Sequence, residues 1–171
     1  MSELYTIGYQ GASAGQLIQT LCNLEIQVLV DVRELPLSRK KGLSKTALTQ
    51  ALSDQGIHYR HLKKLGDPKA GRDAAKAGDY ATFEEIFSRH LVSDEAQSDF
   101  AELLRIARSQ KTCILCFERC AHVCHRSYIA DEAVLVGFDV YNLVADRPEE
   151  YLKNGVKIPR YNSRKSLSAA E

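Results

Sequence analysis

Two short stretches, Gln27–Val32 (QVLVDV) and Cys113–Phe117 (CILCF), set apolar residues side by side instead of at every second or every third and fourth place. A strand with that pattern is covered on both faces, which is the habit of a parallel sheet with helices on either side. Segments with a helical stripe lie between such strands. Leu17, Ile18, Leu21, Cys22 and Leu24 follow a cap at Ser13, and Asp79–Val92 and Ser93–Ser109 read as successive amphipathic helices, the second capped by Ser93. Strands at Leu4–Ile7, Ile57–Leu62 and Phe138–Val144 and a helix capped by Ser44 and running to about Leu52 complete the alternation. The pattern predicts a single three-layer α/β domain built on a doubly wound, mainly parallel sheet of about five strands.

The domain is expected over residues 1–146, with residues 147–171 as a loosely held basic extension carrying Arg147, Lys153, Lys157, Arg160, Arg164 and Lys165. Lys63–Gly78 is polar and holds Gly66, Pro68, Gly71 and Gly78, so it reads as a long loop. From about Val123 to Val136 the pattern is helical, stopped by Gly137.

A net charge of +1 gives no global pull toward nucleic acid or membrane, so any basic footprint must be local. No apolar run approaches membrane-spanning length, and the start MSELYTIGYQG has no basic-then-apolar leader, which predicts a cytoplasmic protein without a membrane partner. Five cysteines, an odd number with two in a buried-looking strand, suit reduced thiols better than a secreted disulfide framework.

Parallel strands all leave the sheet on one side. Gly8-Tyr9, Asp31–Arg33, Tyr59–His61 and Glu118–Arg126 are therefore expected to share one rim, where an open α/β sheet holds its ligand. Arg33, Ser38, Arg39 and Arg126 are the anion-binding candidates, helped by Lys40 and by the amino end of the helix that follows. Asp31 and Glu118 would orient the arginines or do acid–base work, and Tyr9, His61 and His125 would line the pocket. The competing reading makes Asp31–Arg33 and Glu118–Arg126 ion pairs that tie the rim together.

Cys124, at a helix start beside His125 and Arg126, is a candidate nucleophile, with His125 or His61 as base; packing is the alternative. Cys120 and Arg126 match C-x5-R, but the residues between them lack glycine and include β-branched Val123, which resists the curl such a loop needs. Cys116, Cys120, His122, Cys124 and His125 are zinc-type donors, yet their spacing lacks the usual C-x2-C pair, and no metal ligand is assigned. No cofactor follows from these residues.

Tyr5-Thr6-Ile7-Gly8-Tyr9, Asp31-Val32-Arg33 with Pro36 and Ser38-Arg39, Gly56-Ile57 with Tyr59 and Leu65-Gly66, Gly78-Asp79-Tyr80, and Cys116-Phe117-Glu118 with Cys124-His125-Arg126 occur in that order. Together they resemble the domain of unknown function 488 family, over about Leu4 to Val144. The resemblance implies a single α/β domain with those signature residues, and it implies no activity. Cys120 and His122 fall in a spacer that the resemblance does not cover. The functional expectation therefore comes from the residues: an enzyme acting on a phosphorylated or otherwise anionic substrate, a nucleotide or nucleic acid, at the rim. The alternatives are a non-catalytic anion- or nucleic-acid-binding module, and thiol-based transfer or redox chemistry through Cys124.

Overall fold

The computed structural model describes residues 2–161. Its strands are β1 (Ser2–Gly8), β2 (Val28–Asp31), β3 (His58–His61), β4 (Thr112–Cys116) and β5 (Phe138–Val144), in the order β3-β2-β4-β1-β5. Every pairing is parallel. The helices among the described residues are α1 (Ala14–Asn23), α2 (Lys45–Ser53), α3 (Lys69–Lys76), α4 (Tyr80–Leu91), α5 (Asp94–Ser109) and α6 (Arg126–Leu135). The expected α/β three-layer architecture is what the chain forms.

Alternation along the strands divides the interior in two. Val28 and Val30 of β2 and Ile114 and Cys116 of β4 pack with Phe87 of α4, Leu103 of α5 and Ile129 of α6. Their neighbours Leu29, Cys113 and Leu115 face the other way, onto Leu17 and Leu21 of α1 and Leu48 and Leu52 of α2. β2 and β4 are buried along their whole length, as their unbroken apolar runs require. Among the described residues no helix is long and apolar enough to cross a membrane.

Local signals account for three of the six helix starts among the described residues. Ser13 and Gln16 form a reciprocal capping box, and Asp79 and Ser93 accept from the backbone N–H groups of Thr82 and Ala96. Ser44 precedes α2 without capping it, because its hydroxyl is engaged with the backbone of Ser38.

Two expectations need correction. Lys63–Gly78 is not an open loop: Lys63–Leu65 makes one 3-10 turn and Lys69–Lys76 is α3. Ala74 and Ala75 rest against the core, so packing supplies the helix stability that Gly71 and the polar neighbours withhold. The last helix begins at Arg126, not Val123, because Ala121–Val123 is a separate 3-10 turn. Cys124 thus stands before the helix, with His125 in the cap position.

Beyond β5 the chain makes a 3-10 turn at Pro148–Leu152 and returns along the sheet. Asn142 N–H donates to Pro159 O, Tyr161 N–H donates to Val140 O, and Arg160 forms an antiparallel bridge with Tyr141 and an ion pair with Asp139. Tyr161 is buried, its hydroxyl bonded to Ser127 O and Asp131. Arg164 and Lys165 lie outside the described residues.

Candidate functional site

The register places Asp31 beside His61 and Leu115, and Gly8 beside Cys116, so the strand ends form one rim. On the α1 and α2 side the chain after β2 turns back, and Arg33 meets Asp31 in a two-point pair: Nε to Oδ1 at 2.9 Å and Nη2 to Oδ2 at 2.6 Å. Nη1 donates to Tyr9 Oη and to Leu43 O. The Tyr59 hydroxyl donates to Asp31 Oδ2 at 2.5 Å, and burial beside that carboxylate raises its pKa. Arg33 is 6% exposed, and its pairing with Asp31 outweighs burial and keeps it firmly charged. His61 Nε2–H donates to Arg33 O.

The second arginine sits on the opposite face. Arg126, 1% exposed, sends Nε to Thr6 Oγ1 and Nη1 to Cys116 Sγ at 2.8 Å. Nη1 also donates to Glu118 O, and Nη2 donates to Arg119 O, so the guanidinium gathers the turn after β4. Among the described residues it has no carboxylate ion pair, and burial pulls its pKa down to about 10. Its backbone N–H points at Cys124 Sγ, 3.5 Å away. Both sulfurs thus receive N–H groups of the same residue. A buried cation needs polar partners, and the Cys116 sulfur is among the acceptors that the fold offers it.

The structure joins the sulfurs of Cys116 and Cys124 as a disulfide, where the sequence predicts reduced thiols, with Cα atoms 7.6 Å apart. Relaxed disulfides span about 4.4–6.8 Å between Cα atoms. The spacing suits two thiol groups converging on one point better than a settled covalent link. Glu118 Oε2 stands 3.6 Å from Cys116 Sγ, and burial raises the Glu118 pKa. These three ligand-type atoms lie within 4.8 Å of one another. His125 donates Nε2–H to Val32 O and presents Nδ1 to Cys124 Sγ at 3.8 Å. Burial pushes its pKa down to about 4, so the ring is neutral.

A third group lies where the sequence reading expected only loop. Asp67, 7% exposed, has an Oδ1 with no hydrogen-bond partner among the described residues. Two glycines bring it there. The backbone of Glu34 fills the space a side chain at Gly66 would occupy, and Asp67 Oδ1 fills that space at Gly71. Arg72 ties the corner by donating to Glu34 and to Asp67 O. Burial pushes the Asp67 pKa up to about 7, opposed by Arg72 and reinforced by Glu118 and Glu34.

The sequence-derived candidates therefore separate. Asp31, Arg33, Tyr9 and the half-buried His61 form one bonded group, and the half-buried Glu118 with Cys124, His125 and Arg126 forms another; the bond from His125 to Val32 O joins them. Ser38 accepts from Lys40 N–H, and Arg39 is exposed at the loop surface beside Lys40 and Lys41. Of the wider donor set, Cys120 is exposed and His122 lies beside the Tyr161 ring, apart from Cys116 and Cys124. Glu34, Asp67 and Arg72 escaped sequence reading, although Gly66-Asp67-Pro68, an acid held between two turn residues, was a usable signal.

The family model described as Domain of unknown function DUF488 matches residues 13–133, well over half of the chain, and the chain belongs to that family. Comparison with curated proteins and with solved structures found no match.

Proposed function

We propose that this member of the domain of unknown function 488 family is an enzyme that carries out acid–base chemistry on an anionic substrate, of the phosphorylated or nucleotide class, at the sheet rim. The observation that carries the reading is the buried Oδ1 of Asp67, without a hydrogen-bond partner among the described residues, on a carboxyl whose charge is felt by Arg72, Glu118 and Glu34. An acid whose pKa lies close to neutrality exchanges protons efficiently at working pH. Asp67 acts as the general base, Glu118 orients the turn beside it, and Asp31 holds Arg33.

The anion docks on the exposed loop cations Arg39, Lys40 and Lys41. Arg33 and Arg126 have each committed four of their five N–H donors to the protein, so they shape the pocket and leave recognition to the loop. The thiol alternative is less favoured, because substrate would have to reach Cys124 at 1% exposure.

The test is a turnover and binding screen over phosphorylated sugars, nucleotides and oligonucleotides, with Asp67→Asn and an Arg39→Ala/Lys41→Ala double variant. Turnover that rises through about pH 7 and disappears in Asp67→Asn, with binding weakened in the loop variant, supports the reading. Unchanged turnover in Asp67→Asn ends it. Binding without turnover, falling steeply with salt, favours the non-catalytic nucleic-acid module instead.

A further inference from the structure

We propose that Cys116, Glu118 and Cys124 form a binding site for one divalent cation of the zinc class. The inference goes beyond the acid–base reading and does not depend on it, because metal content is measurable without a substrate.

Three observations carry it. The first is the donor set: two sulfurs and a carboxylate oxygen within 4.8 Å of one another. Thiolate with carboxylate suits zinc, which takes such mixed sets with a further position left for water or substrate. The second is spacing. With Zn–S near 2.3 Å and Zn–O near 2.0–2.2 Å, a tetrahedral ion sets its sulfur and oxygen ligands about 3.5 Å apart. Cys116 Sγ and Glu118 Oε2 already stand at 3.6 Å. The sulfurs need to part to about 3.8 Å to admit the ion, and a Cα separation of 7.6 Å leaves room for that through side-chain rotation.

The third observation is charge. Two thiolates, one carboxylate and a dication sum to one negative charge. Arg126, buried and among the described residues without a carboxylate ion pair, supplies the positive charge that balances it. Its guanidinium and backbone N–H groups both point at sulfur, the arrangement by which outer hydrogen bonds hold metal-bound thiolates in place. Cys22, Cys113 and Cys120 take no part, which leaves them as controls. Binding releases to solvent whatever protons the thiols and the carboxyl still carry.

The experiment uses the full chain, purified under reducing conditions without chelator. Elemental analysis is expected to find about one zinc per chain, as the three-ligand site requires. Cobalt titration of chelator-stripped protein is expected to give a sulfur-to-metal charge-transfer band saturating at about one equivalent. Cys116→Ser/Cys124→Ser abolishes both signals and Cys22→Ser/Cys120→Ser keeps them. Arg126→Met lowers zinc affinity by about 10–100-fold. Substoichiometric zinc together with no cobalt band in the reduced wild type overturns the proposal. So does metal retained by the Cys116→Ser/Cys124→Ser variant, or an intact disulfide that survives in the reduced protein. If the serine variants fail to fold, the cobalt titration of the wild type decides the matter.

Discussion

Arg33 and Arg126 are both buried at the carboxyl end of the sheet, one toward α1 and α2, the other at the start of α6. Arg33 meets a carboxylate at two points, with Tyr9 and Tyr59 completing the group. Arg126 meets two backbone carbonyls, a hydroxyl and a sulfur. The same side chain at similar burial therefore has its charge reinforced in one place and depressed in the other. A carboxylate closes its electrostatic account locally, whereas sulfur does so only when deprotonated. The first arrangement is a structural tie; the second is a site whose state depends on what the thiols bind.

The largest expected effect comes from breaking the closed pair. Asp31→Ala leaves Arg33 buried and uncompensated and lowers unfolding free energy by about 3–5 kcal/mol. Urea denaturation checks it, and a loss below about 1 kcal/mol would mean that the pair is solvent-screened. The open arrangement is tested next by a double-mutant cycle of Arg126→Met with Cys116→Ala. A thiolate partner gives a coupling of about 1.5–3 kcal/mol, whereas a neutral thiol gives about 1 kcal/mol or less.

Asp67 sharpens the contrast from the side of the acids. Its folded pKa, about 7, exceeds the unfolded value of 3.8. Between those values the native state keeps a proton that the unfolded chain has lost, so stability falls as pH rises across that window. Asp67→Asn removes this dependence and gains on the order of 1–2 kcal/mol over wild type at pH 8, with little difference below pH 4. Thermal unfolding at the two pH values is the measurement. The smallest effect is Tyr59→Phe, which removes one donor from Asp31 while leaving Arg33 in place, and costs about 1 kcal/mol.

The sheet was legible because burial on both faces leaves an unbroken apolar signature, as in Gln27–Val32, and because Ser13, Asp79 and Ser93 mark helix starts with short-range chemistry. The segment from Lys63 to Gly78 was not. α3 is held by contacts of Ala74 and Ala75 with the core, which local propensity cannot register. The same limit applied to the site. Strand polarity brought Asp31, Arg33, Glu118 and Arg126 to one rim on paper, but which partner each arginine takes depends on side-chain direction. Asp67 was missed because its position is fixed by backbone packing of Gly66 on Glu34, a contact between residues far apart in the chain. The turn at Ala121–Val123 likewise breaks what reads as one helix, moving Cys124 out of it.

β5 ends the sheet, and its outer amide and carbonyl groups would be a template for any extended peptide. The returning segment occupies them: Pro159 takes the Asn142 amide and Tyr161 takes the Val140 carbonyl. What reads as an appendage thus works as a stopper against strand addition, fastened by the buried Tyr161 ring. A chain cut before Pro159 loses the buried Tyr161 from its core and uncovers that template, and its fate shifts from solitary folding toward self-association.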